Sequence, residues 1–293
     1  MSAEPDDEIN QSSAPLIEHL AELRTRLIRS LLAFVVGMVA CFIIADPILN
    51  FLVDPIADVL RARGEDPRLI FTAPQEKFFV LIRISLIGGL AVSFPVIAYQ
   101  LWMFVAPGLY RSEKGAFLPF IVASPALFML GAAFAHYIVT PLAMNFFIGF
   151  SDAVPALANI IAGGGAGEIE GEGDEVMRTY FLGSVRESLD LSLKFIFAFG
   201  LCFQLPVLMT LMGKAGLVSA KGLGEVRKYA VVAILTLAAL VTPPDVITQL
   251  ILFVAVYGLY EISIFLVRYV EHKRNQRLRE EGILDEDEEL DDI

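Results

Sequence analysis

Cysteine, histidine and tryptophan are scarce in this chain of 293 residues, with two, three and one. Cys41 and Cys202 each sit inside an apolar run, where a thiol packs as a small hydrophobe and has no partner for a disulfide or a metal. His19, His136 and His272 are too scattered to ligate one ion. G-x-S-x-G and H-E-x-x-H are missing, which leaves an intramembrane protease without nucleophile or metal. The triple glycine at 163–165 is no phosphate loop: it lacks the Lys-Ser/Thr pair and is followed by acids. The expected protein is therefore not an enzyme and holds no cofactor, metal or nucleotide. Any work it does must draw on a gradient or on partners. Nor is there a dense basic stretch with interleaved aromatics, which argues against nucleic acid. The formal charge of −12 is equally uninformative, because 18 of the 34 acids lie in three patches, 4–8, 168–175 and 280–292.

Apolar residues are what the chain has in excess. At 56% hydrophobic it exceeds the roughly 45 to 50% of soluble domains. A crossing helix needs about 20 residues. Six runs approach or reach that length, at about 27–45, 78–100, 117–139, 190–212, 229–242 and 246–267. The expectation is an all-α polytopic membrane protein forming one membrane domain over 1–293. Its parts are a cytoplasmic amphipathic segment (1–26), a six-helix bundle (27–267) with an outer insertion near 151–175, and a cytoplasmic tail (268–293) that is disordered at its end. An even number of spans puts both termini on one side. With that side cytoplasmic, 14 of the 22 Lys and Arg lie inside and five outside, as positive-inside bias requires.

Spans five and six are short. Tyr229 to Thr242 is 14 residues, about 21 Å of helix, and span six meets Glu261 after 15 uncharged residues. Two short neighbours thin the bilayer or draw it towards a concave face.

The segment P-L-I-E-H-L-A-E-L-R-T-R-L-I-R at 15–29 sets Leu16, Leu20, Leu23 and Leu27 at helical spacing, with Glu18 and Glu22 on another face and Arg26 a turn further on. It presents acid at a membrane face that ordinarily presents base alone. Glu113, in the first inner loop, is a second acid where positive-inside logic leaves base; pairing with Arg111 or Lys114 would also account for it. Outside, Asp-Pro pairs at 46–47, 54–55 and 66–67 read as turn starters, with a short helix from Asp54 through Arg61. Arg83, near the outer end of span two, reads as a snorkelling cation. Gln204, within span four, wants a hydrogen-bonding partner in this chain or in another. The Gly-rich, acidic run 162–175 reads as a solvated loop, and Phe181 to Asp190 as a surface helix leading into span four.

Four stretches in this order and topology, L-I-E-H-L-A-E-L-R-T-R-L at 16–27, L-W-M-F-V-A-P-G-L-Y-R-S-E-K at 101–114, F-G-L-C-F-Q-L-P-V at 199–207 and L-V-T-P-P-D-V at 240–246, closely resemble the TatC family, the polytopic subunits of twin-arginine protein translocases. The resemblance covers about Leu16 to Arg268. It departs in the acidic insertion and in Gln204, at a position often held by glutamate. It implies a receptor for paired-arginine signal peptides on folded cargo in the bacterial cytoplasmic (inner) membrane. The receptor would work in several copies with the single-span partners TatA and TatB and draw on the proton-motive force. Carried over by position, the resemblance puts signal-peptide binding on Glu22, Glu113, Arg24 and Phe104, and partner or structural roles on Pro55, Gln204 and Asp245.

The residues alone agree with this much: a guanidinium pairs with carboxylates through a planar fork better than an ammonium does. The alternative from a different class is a small-solute secondary transporter, which would show inverted repeats and charged midplane residues in broken helices. A third is an assembly scaffold with no ligand of its own.

Overall fold

The computed structural model describes residues 5–64, 66–105, 118–161, 183–242 and 246–280, with 5–19, 105, 118, 151–161, 278 and 280 as backbone alone. The described residues are nearly all helical. In order they form α1 (Pro5–Ile43), α2 (Ala45–Ala62), α3 (Glu76–Val105), α4 (Leu118–Phe134), a π turn (Ala135–Val139), α5 (Thr140–Ile161), α6 (Val185–Cys202), α7 (Leu205–Lys214), α8 (Ala220–Glu225), α9 (Arg227–Val241) and α10 (Val246–Glu280).

Five stretches are long and apolar enough to cross a membrane: Leu20–Ile43, Glu76–Phe104, Pro119–Phe150, Val185–Lys214 and Val246–Arg277. The sixth crossing is α9, whose 15 residues span about 22 Å. Outward-facing side chains such as Val36, Leu240 and Phe265 stay exposed, as a surface solvated by lipid requires.

Several boundaries differ from the sequence expectation, each for a local reason. The amphipathic segment is no separate helix, because α1 runs from Pro5 to Ile43 without a break. Asp46-Pro47 opens a helix rather than a turn. Proline is tolerated in a first turn, where its missing N–H has no acceptor to lose, and Asp46 is placed where an acid suits the helix dipole. The expected short helix from Asp54 is thus the second half of α2, with Pro55 in its interior.

Span three continues through the π turn into α5, so the first part of the expected outer loop is helical. Pro141 explains the π turn. Its nitrogen cannot donate to the carbonyl of Tyr137, and the N–H of Thr140 reaches back five residues to Ala135. The surface helix expected from Phe181 begins at Val185 and runs unbroken into span four. That span is divided instead at Phe203–Gln204, just ahead of Pro206. Finally, α10 carries the basic segment after Arg268 in the same helix as far as Glu280, where a tail was expected.

Packing ties these pieces together. The largest core cluster brings Val80 and Ile84 of α3 together with Phe195 and Phe199 of α6 and with Leu252 and Val256 of α10. A second gathers Trp102 of α3, Phe128 of α4 and Leu211 of α7. This places the C-terminal ends of α3 and α7 on one level, the terminal end of the bundle, so named because α1 begins there. A third cluster, Ile56, Val59, Leu60, Met144 and Ile148, seals α2 against α5 at the opposite end.

α1 and α3 meet through glycine. A Cβ on Gly37 would stand 2.8 Å from the carbonyl oxygen of Gly89, and one on Gly89 would stand 2.6 Å from the backbone of Met38. Small residues permit such backbone contact in a membrane, where there is no hydrophobic drive between helices. Glu261 of α10, a charge in an apolar helix, accepts hydrogen bonds from Arg227 Nη2 at 2.9 Å and from Tyr257 Oη at 3.0 Å.

Candidate functional site

At the terminal end, the glycine contact holds α1 close enough to α3 for side chains to bridge them. Glu22 and Arg26 lie one turn apart on α1, and Arg26 Nη2 donates to Glu22 Oε1 at 3.1 Å. The other terminal nitrogen, Nη1, donates to Gln100 Oε1 on α3, also at 3.1 Å. One guanidinium therefore joins two acceptors from two helices. Gln100 is buried, while the Glu22 side chain keeps a third of its surface exposed. A carboxylate held through one oxygen and open to solvent can exchange its partner; a fully enclosed one cannot do so without cost.

The other expected ligand-binding residues fall around this bridge. Arg24 is exposed on α1, and Phe104 is half-buried on α3 one turn beyond Gln100. Glu113 lies outside the described residues, in the segment 106–117 that follows α3. Glu22 pairs with Arg26, the residue that helical spacing sets one turn further on. Gln100 had no weight in the sequence reading. The only signal was an amide near the end of an apolar run, four residues before Phe104.

Gln204 finds its partner within the chain. Ser124 Oγ donates to Gln204 Oε1 at 2.6 Å, and Gln204 Nε2 donates to the Ser124 carbonyl at 2.9 Å. Both halves of the amide are thus used across the interface with α4, at the break between α6 and α7. Pro55 lies inside α2, where it removes the N–H that would bond the carbonyl of Phe51. The ring of Phe51 stacks on His136 of the π turn at 4.4 Å. Asp245 lies outside the described residues, between Thr242 and Val246.

The opposite end contains a carboxylate that sequence reasoning passed over. Glu76, at the start of α3, is 3% exposed. Its Oε2 accepts from the backbone N–H and hydroxyl of Thr72 at 2.5 and 2.8 Å and from Ala73 N at 3.2 Å. Its Oε1 accepts from Ser184 Oγ at 3.0 Å and Arg186 N at 3.3 Å. Beside it, Ile70 N donates to Gly183 O and Val185 N to Ile70 O, a single parallel bridge. Together these bonds fasten the segment before α3 to the start of α6. Arg83 does not snorkel: it forms an ion pair with Asp190 of α6.

Comparison with known proteins agrees with this architecture. Residues 18–254 match the family model described as TatC, Sec-independent protein translocase protein. A Sec-independent protein translocase protein TatC from Magnetococcus marinus is 41% identical over 284 residues, covering 96% of this chain and 94% of the relative. One from Aquifex aeolicus is 37% identical over 262 residues, covering 89% and 98%. The crystal structure of a twin arginine translocase receptor, TatC, superposes with a TM-score of 0.69 at 37% identity, covering 86% of this chain and 99% of that one. With more than three quarters of its length inside the family model and relatives matched along nearly their whole length, this multi-pass membrane protein belongs to the TatC family of Sec-independent protein translocase components.

Proposed function

We propose that this chain is the receptor and core subunit of a twin-arginine translocase, which binds paired-arginine signal peptides of folded proteins through Glu22 and Glu113. With TatA and TatB as single-span partners, and in several copies, it exports that cargo across the bacterial cytoplasmic membrane using the proton-motive force. Both termini face the cytoplasm in this reading, on the strength of the 14 to five division of Lys and Arg. Arg24 and Phe104 border the peptide site, while Pro55, Gln204 and Asp245 shape the protein or meet its partners.

The observation that carries the reading is Glu22 itself. It is a partly exposed carboxylate already paired to a guanidinium at the junction of α1 with the end of α3, from which the segment bearing Glu113 departs. An Arg-Arg ligand needs two acids on adjacent segments at one membrane face; in this reading Glu22 is the first and Glu113, on the segment that follows α3, is the second. The likeness to a solved twin arginine translocase receptor points the same way.

The test is the affinity of purified protein for Arg-Arg and Lys-Lys peptides. A charge-assisted contact is worth about 1.5 to 3 kcal/mol, less where solvent screens it. Glu22→Ala and Glu113→Ala should therefore each weaken Arg-Arg binding by roughly tenfold to a hundredfold. The double change should fall short of additivity if both acids serve one ligand group. An unchanged preference for arginine in both variants would remove the assignment. Orientation is tested separately: a cysteine at Gln276 should be shielded from an impermeant thiol reagent in intact cells, and one at Asp66 should react.

A further inference from the structure

The bridge at the terminal end has a property that a simple ion pair lacks. Arg26 uses two different nitrogens, Nη2 for Glu22 and Nη1 for Gln100, each at 3.1 Å from its acceptor. Glu22 Oε1 and Gln100 Oε1 are therefore spaced to receive the two ends of a single guanidinium. We infer that Glu22 and Gln100 form one guanidinium cradle, occupied by the chain's own Arg26 when no ligand is bound, and that a signal-peptide arginine takes Arg26's place, with Gln100 setting the preference for arginine over lysine. The inference rests on the receptor reading above and adds to it a resident competitor and a specificity residue.

Burial and chemistry support the exchange. Gln100 is 8% exposed on α3 and holds its oxygen in place, whereas the Arg26 and Glu22 side chains are 18% and 33% exposed, so the pair has a route to solvent. The resident contact is weak by construction, since partly exposed pairs one helical turn apart contribute little. An incoming arginine exchanges like for like: one planar fork leaves the two oxygens and another arrives, and no charge is stranded. Lysine brings one nitrogen to two acceptors that are set for two, and it leaves at least one of them poorly served. An amide is also an acceptor that keeps its charge state at any working pH, so Gln100 adds selectivity without adding a carboxylate that would attract every cation.

The experiment measures Kd for Arg-Arg and Lys-Lys signal peptides on the full-length protein in lipid nanodiscs. Arg26→Gln should tighten Arg-Arg binding by roughly two- to fivefold, because the resident is gone. Arg26→Lys, which keeps the charge but not the fork, should give a smaller gain. Gln100→Met, close to glutamine in length and suited to a helix, should lower the ratio of the Lys-Lys to the Arg-Arg Kd by roughly tenfold. Gln100→Glu, which restores an acceptor, should bring back tight Arg-Arg binding but only part of the arginine preference, since a carboxylate also attracts lysine; a merely structural role for position 100 would produce no such rescue. Arg26→Gln and Arg26→Lys both failing to tighten binding, or an unaltered ratio in Gln100→Met, overturns the inference while Glu22→Ala still weakens binding. Glu22→Ala without effect would overturn the receptor reading and this inference together.

Discussion

Glu76 and Glu22 are the same residue type at opposite ends of one bundle, each near the start of a membrane-crossing stretch. Glu76 is enclosed, and five donors from two chain segments fill both of its oxygens. Glu22 is a third exposed and held through one oxygen by a neighbour on its own helix. An enclosed carboxylate with every lone pair directed at a fixed donor is part of the scaffold, because removing it leaves several donors from two chain segments without their shared acceptor. A carboxylate with an exchangeable partner is suited to a ligand. Acid at a membrane face is thus insufficient to mark a binding site; the number and rigidity of its donors decide.

That contrast can be broken by exchanging the outcomes of mutation. The largest effect should come from Glu76→Ala. It frees the donors of Thr72, Ala73, Ser184 and Arg186, and should cost more stability than a change at Gly89, Glu22 or Gln204. Thermal unfolding in detergent should show it, with the Arg over Lys peptide preference unaltered in surviving protein. Gly89→Ala should come next. Its methyl would press on Met38 backbone at 2.6 Å, and overpacking of this kind costs about 1 to 3 kcal/mol. By moving α1 off α3 it should also part Glu22 from Gln100, the two acceptors of the cradle, so stability and peptide affinity should fall together.

Glu22→Ala should do the reverse of Glu76→Ala. The pair it removes is worth less than about 1 kcal/mol to folding, so the melting temperature should barely move while peptide binding falls. A large loss of stability at Glu22, or of peptide selectivity at Glu76, would abolish the distinction between the two ends. The smallest effect belongs to Gln204→Leu. Hydrogen bonds between membrane helices average about 0.6 kcal/mol, and both halves of this amide are used by Ser124 within the chain. A slight drop in melting temperature with complex assembly intact is expected; loss of the complex on native gels would show that the amide serves a partner instead.

Local pattern made most of this fold legible. The apolar runs gave the crossings because a helix in lipid must satisfy its own backbone, so length and hydropathy carry the information. The resemblance located Glu22, Arg24 and Phe104 at the end where α1 meets α3. The long-range pairings could not be read in this way: Arg26 with Gln100 is 74 residues apart, Ser124 with Gln204 80, Arg83 with Asp190 107 and Glu76 with Ser184 108. No periodicity joins such positions, and each side chain taken alone has a plainer explanation at an interface. The Asp-Pro pairs at 46–47 and 54–55 misled for a different reason, whereas the one at 66–67 does lie between helices. The same dipeptide starts a turn or the first turn of a helix, and in α2 burial of Leu49, Leu52 and Ile56 against the bundle decides for the helix.

The π turn ahead of Pro141 has a consequence for how this membrane helix is clocked. One extra residue in a turn rotates everything downstream by about 100° relative to a regular α-helix. Before it, Ser124, Phe128 and Ala135 share the inward face. Counting seven residues on from Ala135 would bring Leu142 inward, yet Leu142 is exposed, and Ala143, one place later, is fully buried along with Met144 and Ile148. The same helix can therefore turn one side to α6 in its first half and a differently phased side to α2 in its second. An alignment that scored this crossing as a single unbroken heptad-like stripe would assign its second half to the wrong neighbour.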